Sequence, residues 1–139
     1  MTPTWILKSI VLALHDEQIA EHGGMSGIKD EGLLESALAR PENLFAYGNP
    51  DIIEIAAAYG FGLARNHAFV DGNKRTSMVV TELFLDLNGL ELTASDTEVV
   101  RVWMALADSQ SDMSEAQFAA WLRRNVEQHQ RASLAGGLS

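Results

Sequence analysis

The residues of this chain that could do chemistry are concentrated between His67 and Thr76, in the stretch HAFVDGNKRT. It holds a histidine, an aspartate, a glycine, an asparagine and two adjacent cations, with apolar sequence on both sides. His67 can take a proton near neutral pH, and Asp71 offers the hard oxygen that Mg²⁺ requires. Gly72 lets the backbone approach a ligand closely or adopt positive φ. These residue types together indicate a reaction site.

The second half of the stretch is typical of a phosphate-binding loop. A helix is predicted to begin at Asn73, and helix starts carry unpaired N–H groups and partial positive charge that bind phosphate. Asn73 can add side-chain donors, while Lys74 and Arg75 place two cations in a first turn where acids are normally preferred. That placement makes sense if a polyanion binds there. A phosphate cradle, a metal oxygen and a base in one loop predict transfer of a nucleotide phosphate onto a hydroxyl.

Each of these residues also has an ordinary structural interpretation. A histidine at a helix end often caps the helix, a Lys-Arg pair is usually solvated surface, and Asp-Gly-Asn is common turn chemistry. The catalytic interpretation is favoured because all of them occur in one short loop, with Phe69 as an apolar anchor to the core.

The bulk composition indicates one soluble domain. The chain has 139 residues, of which 47% are apolar and 21% charged, and it has no cysteine. The lack of cysteine fits a reducing compartment, so we expect a cytoplasmic protein. A net charge of −9 disfavours sequence-independent DNA binding. No apolar run is long enough for a membrane helix, and the N-terminus lacks the features of a signal peptide.

Helical periodicity dominates, so we predict a single all-α bundle of about six helices over residues 1–128 and a frayed tail over 129–139. Pro41 is expected to end or kink the second helix, leaving 41–50 as a separate helical turn. Residues 89–95 are expected to be extended. The predicted helices run from Ser9 (as N-cap) to Gly23–Gly24, from Asp30 to Ala39, from Asp51 to Asn66, from Asn73 to Leu87, from Ser95 to Ala107, and from Ser114 to Asn125.

The third predicted helix should be central, because residues 52–64 are apolar nearly all round. Gly60 and Gly62 each cost about 1 kcal/mol against alanine in a helix, so close helix packing is expected to compensate. The three tryptophans are expected to be core or interface aromatics. His15 is expected to serve packing or surface, and Arg65 could add charge at the phosphate site.

The motif resembles the signature of the Fic/Doc superfamily, H-x-F-x-[DE]-[GA]-N-[GK]-R, at every defined position. The segments LALHDEQIAEHGG, GLLESALARP and LFLDLNG extend the resemblance to the Doc (death-on-curing) branch, the toxin half of bacterial toxin–antitoxin pairs. The resemblance implies an all-α fold, ATP as substrate and Mg²⁺ as cofactor. It implies that His67 is the base and Asp71 the Mg²⁺ ligand. The phosphates would be held by Gly72, Asn73, Lys74 and Arg75.

Two residues separate the branches of this superfamily. Adenylyl-transferring Fic members have glycine at the position of Lys74 and an arginine at the position of Met78, which leaves room for the outer phosphates. Doc binds ATP in the reversed sense and transfers its γ-phosphate, so Lys74 and Met78 imply a protein kinase. Gly72 departs from Doc, which has alanine there, and matches the adenylyl-transferring members. Adenylyl transfer to an unknown protein hydroxyl is therefore the alternative.

The resemblance also implies a target and a regulator. The expected target is a threonine of elongation factor Tu, whose phosphorylation arrests translation. Many Fic proteins carry an inhibitory helix, [ST]-x-x-x-E-[GN], but SDMSEA from Ser111 lacks the final residue and SGIKDEG from Ser26 has aspartate in place of the glutamate. We therefore expect a separate antitoxin whose tail binds a groove beside the motif. A non-catalytic nucleotide-binding module is a third hypothesis, against which the base His67 argues.

Overall fold

The computed structural model describes residues 2–129, so nearly all of the predicted tail lies outside the described residues. The prediction of an all-α fold with six helices is confirmed, and a small antiparallel pair of strands is added to it. None of the described helices is long and apolar enough to cross a membrane. The elements are α1 Lys8–His22, α2 Glu31–Tyr47, α3 Ile52–Arg65, α4 Asn73–Leu87, β1 Leu90–Leu92, α5 Asp96–Ala107, α6 Glu115–Arg124 and β2 Val126–Gln128.

Helix α3 is the centre of the fold, as its apolar sequence predicts. Asp51 and Glu54 form the predicted capping box at its start, and ten of its residues are buried. It packs against α2, α4, α5 and α6. Gly60 lies against α4, where a methyl group would come within 2.6 Å of the Thr81 hydroxyl. Close packing therefore compensates for the low helix propensity of Gly60.

Two boundary predictions are wrong. Helix α2 continues through Pro41 to Tyr47 instead of ending at Ala39. Pro41 is buried, so packing of its ring offsets the backbone hydrogen bond that proline cannot donate. Ser9 does not cap α1, because the helix already begins at Lys8 and the Ile10 amide donates to the carbonyl of Leu7 at 2.9 Å.

The C-terminal part of the described chain closes the fold against α4. Strand β1 falls where an extended segment is predicted, but its partner β2 was not predicted. Leu92 pairs with Val126 across the two strands. Trp103 and Trp121 are buried core aromatics, as expected, and lie 5.9 Å apart in an edge-to-face arrangement.

Candidate active site

The motif loop, residues 66–72, joins the end of α3 to the start of α4, the two helices that pack most extensively together. Phe69 anchors it, since its side chain is buried and its backbone N–H and C=O are both bonded to the Asn73 side chain at 3.0 Å. The loop also lies beside residues 27–29. The Val70 amide donates to the Gly27 carbonyl at 3.1 Å, and the Lys29 amide donates to the Ala68 carbonyl at 2.8 Å. The loop is thus held by the Asn73 side chain and by the backbone of residues 27–29.

His67 is exposed to the solvent and held in a fixed orientation. Its Nε2 lies 2.9 Å from the carbonyl oxygen of Ala107, the last residue of α5. A carbonyl only accepts, so Nε2 must carry the proton and donate it. In the neutral ring, the second nitrogen, Nδ1, then carries the lone pair. His67 also has a φ of 52°, the only positive φ of a non-glycine residue in the part of the chain that the structure describes. Such backbone strain is found preferentially at functional sites.

Arg65 binds the carbonyl that precedes the one that orients His67. Its guanidinium donates to the carbonyl of Leu106 at 2.7 Å and to that of Met113 at 3.1 Å, and it lies 4.7 Å from the centre of the Phe61 ring. The side chain therefore binds the end of α5. The sequence suggested that Arg65 could add charge at the phosphate site, whereas its guanidinium binds two backbone carbonyls at and after the end of α5.

Asp71 is held through both its backbone and its side chain. Its carbonyl oxygen lies 2.8 Å from Nε2 of His15, and its carboxylate Oδ2 accepts from the Met25 amide at 2.7 Å. The other carboxylate oxygen, Oδ1, receives no hydrogen bond from residues 2–129. Asp71 can thus offer one anchored, hard oxygen to a ligand in front of the loop.

Gly72 shapes the start of α4. It has φ 79° and ψ 17°, the left-handed conformation that glycine adopts readily, and it is the N-cap of α4 without any side-chain capping bond. The first amide of α4 that bonds back into the helix is that of Thr76, which donates to the Gly72 carbonyl at 2.9 Å. In contrast, α2, α3, α5 and α6 are each capped by an aspartate or serine side chain. The uncapped amides of α4 are therefore suited to an anionic ligand.

The three residues that follow Gly72 have different surroundings. The sequence predicted that the Asn73 side chain binds the phosphates. In the structure, its oxygen accepts from the Phe69 amide and one of its N–H groups donates to the Phe69 carbonyl. Lys74 and Arg75 are exposed, and neither makes a salt bridge with a described carboxylate. Two unpaired cations beside uncapped amides, in a chain of net charge −9, form a local anion-binding site.

One groove of about 490 Å³ brings most of the predicted site together. Arg75 lies outside it and lines an adjoining cavity of about 210 Å³, together with Lys74. The groove is lined by the predicted residues His67, Asp71, Gly72, Asn73 and Lys74, and by Val70, Met104, Ala107 and Asp108.

The carboxylates of the groove could help to hold Mg²⁺. No cluster of three or more metal-ligating side chains exists among residues 2–129. Asp71 and Asp108 are the carboxylates of the groove. Mg²⁺ is commonly bound by one or two carboxylates together with substrate phosphates. The donor set therefore fits a magnesium–nucleotide complex.

Two polar residues that line or contact this site, Asp108 and His15, were not predicted to belong to it. Asp108 gave no signal, because it comes close to the motif only through the packing of α5. His15 gave a signal that could have been used. It lies four residues from both Val11 and Ile19, so a polar ring falls on the buried face of α1, where it requires a hydrogen-bond partner.

Comparisons with known proteins agree with the signature in the loop. A family model described as Fic/DOC family matches residues 5–85. The protein named "Protein kinase doc" of Escherichia phage P1 is 39% identical over 83 residues, 59% of this chain and 66% of that protein. "Toxin Doc" of Mycolicibacterium smegmatis is 46% identical over 82 residues, 57% of this chain and 62% of that protein. The match thus spans slightly less than two thirds of each relative.

Proposed function

The chain belongs to the Fic/Doc family, and we propose that it is a Doc-type toxin that transfers the γ-phosphate of ATP to a threonine hydroxyl of a translation factor, with elongation factor Tu as the expected target. One observation carries the proposal. The groove in front of the motif loop combines a base with an available lone pair, an anchored carboxylate and an uncapped helix start flanked by unpaired cations. A site that only bound nucleotide would have no need of the base.

The nucleotide phosphates are assigned to the start of α4. Its uncapped amides after Gly72 and the cations Lys74 and Arg75 attract and orient the phosphate oxygens. The second N–H of the Asn73 side chain is available for the same purpose. Oδ1 of Asp71 would hold Mg²⁺, which when bound neutralises charge on the phosphates.

The proton of the target hydroxyl is assigned to Nδ1 of His67. As that proton is taken, the hydroxyl oxygen forms a bond to the γ-phosphorus, the bond from that phosphorus to the bridging oxygen breaks, and ADP leaves. Nε2–H continues to donate to Ala107, which keeps the ring in one tautomer and one orientation. Arg65 keeps that carbonyl in place by binding the neighbouring carbonyl of Leu106.

The choice of phosphoryl over adenylyl transfer rests on Lys74 and Met78. Lys74 lines both the groove and the adjoining cavity, and Met78 lines the adjoining cavity. A lysine at that junction fills space and carries charge where the outer phosphates would run in adenylyl transfer. Gly72 favours the alternative, an adenylyltransferase acting on a protein hydroxyl. The phage relative is named a protein kinase, which supports phosphoryl transfer.

The surface between α4 and α5 is the proposed binding site of an antitoxin tail. It continues from the active-site groove and is lined by Met78, Trp103, Val100 and Met104, of which Val100 is 55% and Met104 57% exposed. An amphipathic helix or folding segment could bury these side chains. A tail bound there would lie next to Lys74 and hinder ATP. We thus propose an antitoxin and elongation factor Tu as the partners and the cytoplasm as the site of action. The proposal includes no binding to nucleic acid or to a membrane.

The test uses ATP labelled at either the α- or the γ-phosphorus. Purified protein is incubated with elongation factor Tu and Mg²⁺, and transfer of each label is measured. We expect the γ label alone to transfer; transfer of the α label would instead support the adenylyltransferase. Lys74→Gly should lower γ transfer about 100-fold, as does removal of one preorganised charge-stabilising donor in other enzymes. Lys74→Met, which keeps the bulk, separates the effect of charge from that of space.

A further inference from the structure

His15 is a buried polar residue that the proposed mechanism does not use. It lies in the middle of α1 and is 2% exposed. Its ring stacks on that of Phe69, with centroids 3.8 Å apart and planes 10° apart. Its Nε2 lies 2.8 Å from the carbonyl oxygen of Asp71 and must therefore be the donor. Stacking on Phe69 does not require a ring N–H, so packing alone does not explain the hydrogen bond from His15 to Asp71.

The bond from His15 acts at the turn that ends the motif loop. The carbonyl of Asp71 and the amide of Gly72 belong to one peptide plane, and the left-handed turn of Gly72 follows directly. A Cβ on Gly72 would lie 3.2 Å from Ile19 Cδ1 and 3.6 Å from the His15 ring, so α1 packs closely on this turn. The Met25 amide, just beyond α1, holds the Asp71 carboxylate. The α1 region thus fixes Asp71 through both its backbone and its side chain.

We propose that His15 is a positioning residue for nucleotide binding, which fixes the Asp71–Gly72 peptide so that the Asp71 carboxylate and the first amides of α4 face Mg-ATP together. The inference rests on the proposed function. His67 is held independently by Ala107. The donor of His15 therefore governs the binding of Mg-ATP, and it affects neither the proton acceptor nor the binding of the protein target.

The test separates the donor of His15 from its packing. His15→Phe keeps an aromatic ring on Phe69 but removes the N–H, whereas His15→Gln places an amide N–H near the position of Nε2. Loss of one buried hydrogen bond that orders the loop corresponds to roughly a tenfold weaker affinity. We therefore expect His15→Phe to raise KM for ATP about tenfold, with KM for elongation factor Tu unchanged. His15→Gln should restore most of the ATP affinity.

A role in packing alone gives a different result. It would lower the melting temperature and the fraction of active enzyme, and hence the apparent kcat, while KM for ATP stayed constant. Unchanged KM for ATP in His15→Phe overturns the inference and leaves the proposed function intact. If His15→Phe does not fold, the pair His15→Gln and His15→Met decides, because the two differ in the donor but little in length.

An amide ¹H–¹⁵N spectrum tests the inference even if the wild-type protein transfers no phosphate, a result that would refute the proposed function. The Gly72 amide shares its peptide plane with the carbonyl that His15 binds. Its resonance should therefore shift in His15→Phe and return toward the wild-type position in His15→Gln. An unshifted Gly72 resonance in His15→Phe would overturn the positioning role.

Discussion

Replacing Gly60 by alanine should destabilise the protein, although alanine is the better helix former. In the middle of α3, a Cβ at this position would lie 2.6 Å from the Thr81 hydroxyl and 2.8 Å from Cε2 of Phe118. Both contacts are too short for real atoms, and Thr81 and Phe118 are each 0% exposed. The Phe118 ring is itself packed edge-on against Trp103 at 5.1 Å. Neither neighbour can move without disturbing the core.

The magnitudes of two opposing effects decide the sign. The gain in helix propensity from glycine to alanine is about 1 kcal/mol at most. Overpacking of a filled core typically costs about 1–3 kcal/mol, and two contacts this short place Gly60→Ala at the upper end. The net loss should be about 1–2 kcal/mol of unfolding free energy. For a domain of this size it corresponds to a fall in melting temperature of roughly 3–8 °C.

Urea denaturation of wild type, Gly60→Ala and Gly62→Ala measures this effect with a matched control. A Cβ at Gly62 would meet the flexible Arg40 side chain at 3.2 Å and the Ala37 backbone at 3.3 Å, which small shifts can relieve. Gly62→Ala should therefore lie within about 1 kcal/mol of wild type, because the propensity gain offsets most of the crowding. The reasoning is refuted if Gly60→Ala is as stable as wild type or more stable.

Three further predictions concern α4 and the loop before it. Asp71→Asn keeps an oxygen for the Met25 amide but removes the charge, so calorimetry should show Mg-ATP binding weakened by roughly tenfold or more; equal affinity would remove Asp71 from the metal site. Thr76→Val should raise the unfolding free energy by about 1 kcal/mol, because the buried Thr76 hydroxyl has no partner among the described residues. Thr81→Val loses the 2.8 Å hydrogen bond from the Thr81 hydroxyl to the Ser77 carbonyl, so it should instead lower the unfolding free energy in the same urea titration. Desolvation by neighbouring side chains, followed by the charge of Asp96, raises the pKa of Glu82 above its usual value, although the residue is solvent-exposed. Ionisation therefore disfavours the folded state, and stability falls as the pH rises from the normal pKa of glutamate to the raised pKa of the folded protein. Glu82→Gln should therefore melt higher than wild type at pH 7, with an advantage that disappears below the normal pKa of glutamate; the same advantage at every pH would contradict this cause.

Local signals in the sequence were sufficient for much of the fold. The capping residues of α3 and α6 act at short range, and both helices begin where Asp51 and Ser114 predict. The position of the motif loop is also predicted by local signals, because an apolar helix precedes the loop and a glycine ends it. The six helices and the common groove of five motif residues follow from these signals.

Predictions failed where distant contacts override local preference. Pro41 lies inside α2 because its ring is buried, and a propensity rule cannot anticipate burial. The three-residue strand β2 exists only by pairing with β1, which precedes it by more than thirty residues. The bonds from the Asn73 side chain to the Phe69 backbone were not predicted either, because only the folded loop brings the two residues together.

The most direct test of the central claim, that the motif loop is a phosphoryl-transfer site with His67 as its base, is the initial rate of γ-phosphate transfer to elongation factor Tu by wild type and His67→Ala. Circular dichroism confirms that the variant is folded. The control is His22→Ala, which removes a partly exposed histidine at the end of α1, outside the motif loop. We expect labelling of the factor by wild type and by His22→Ala, and a rate roughly 10²–10⁴-fold lower for His67→Ala. Equal rates for His67→Ala and wild type, or no transfer by the wild-type protein, would contradict the account.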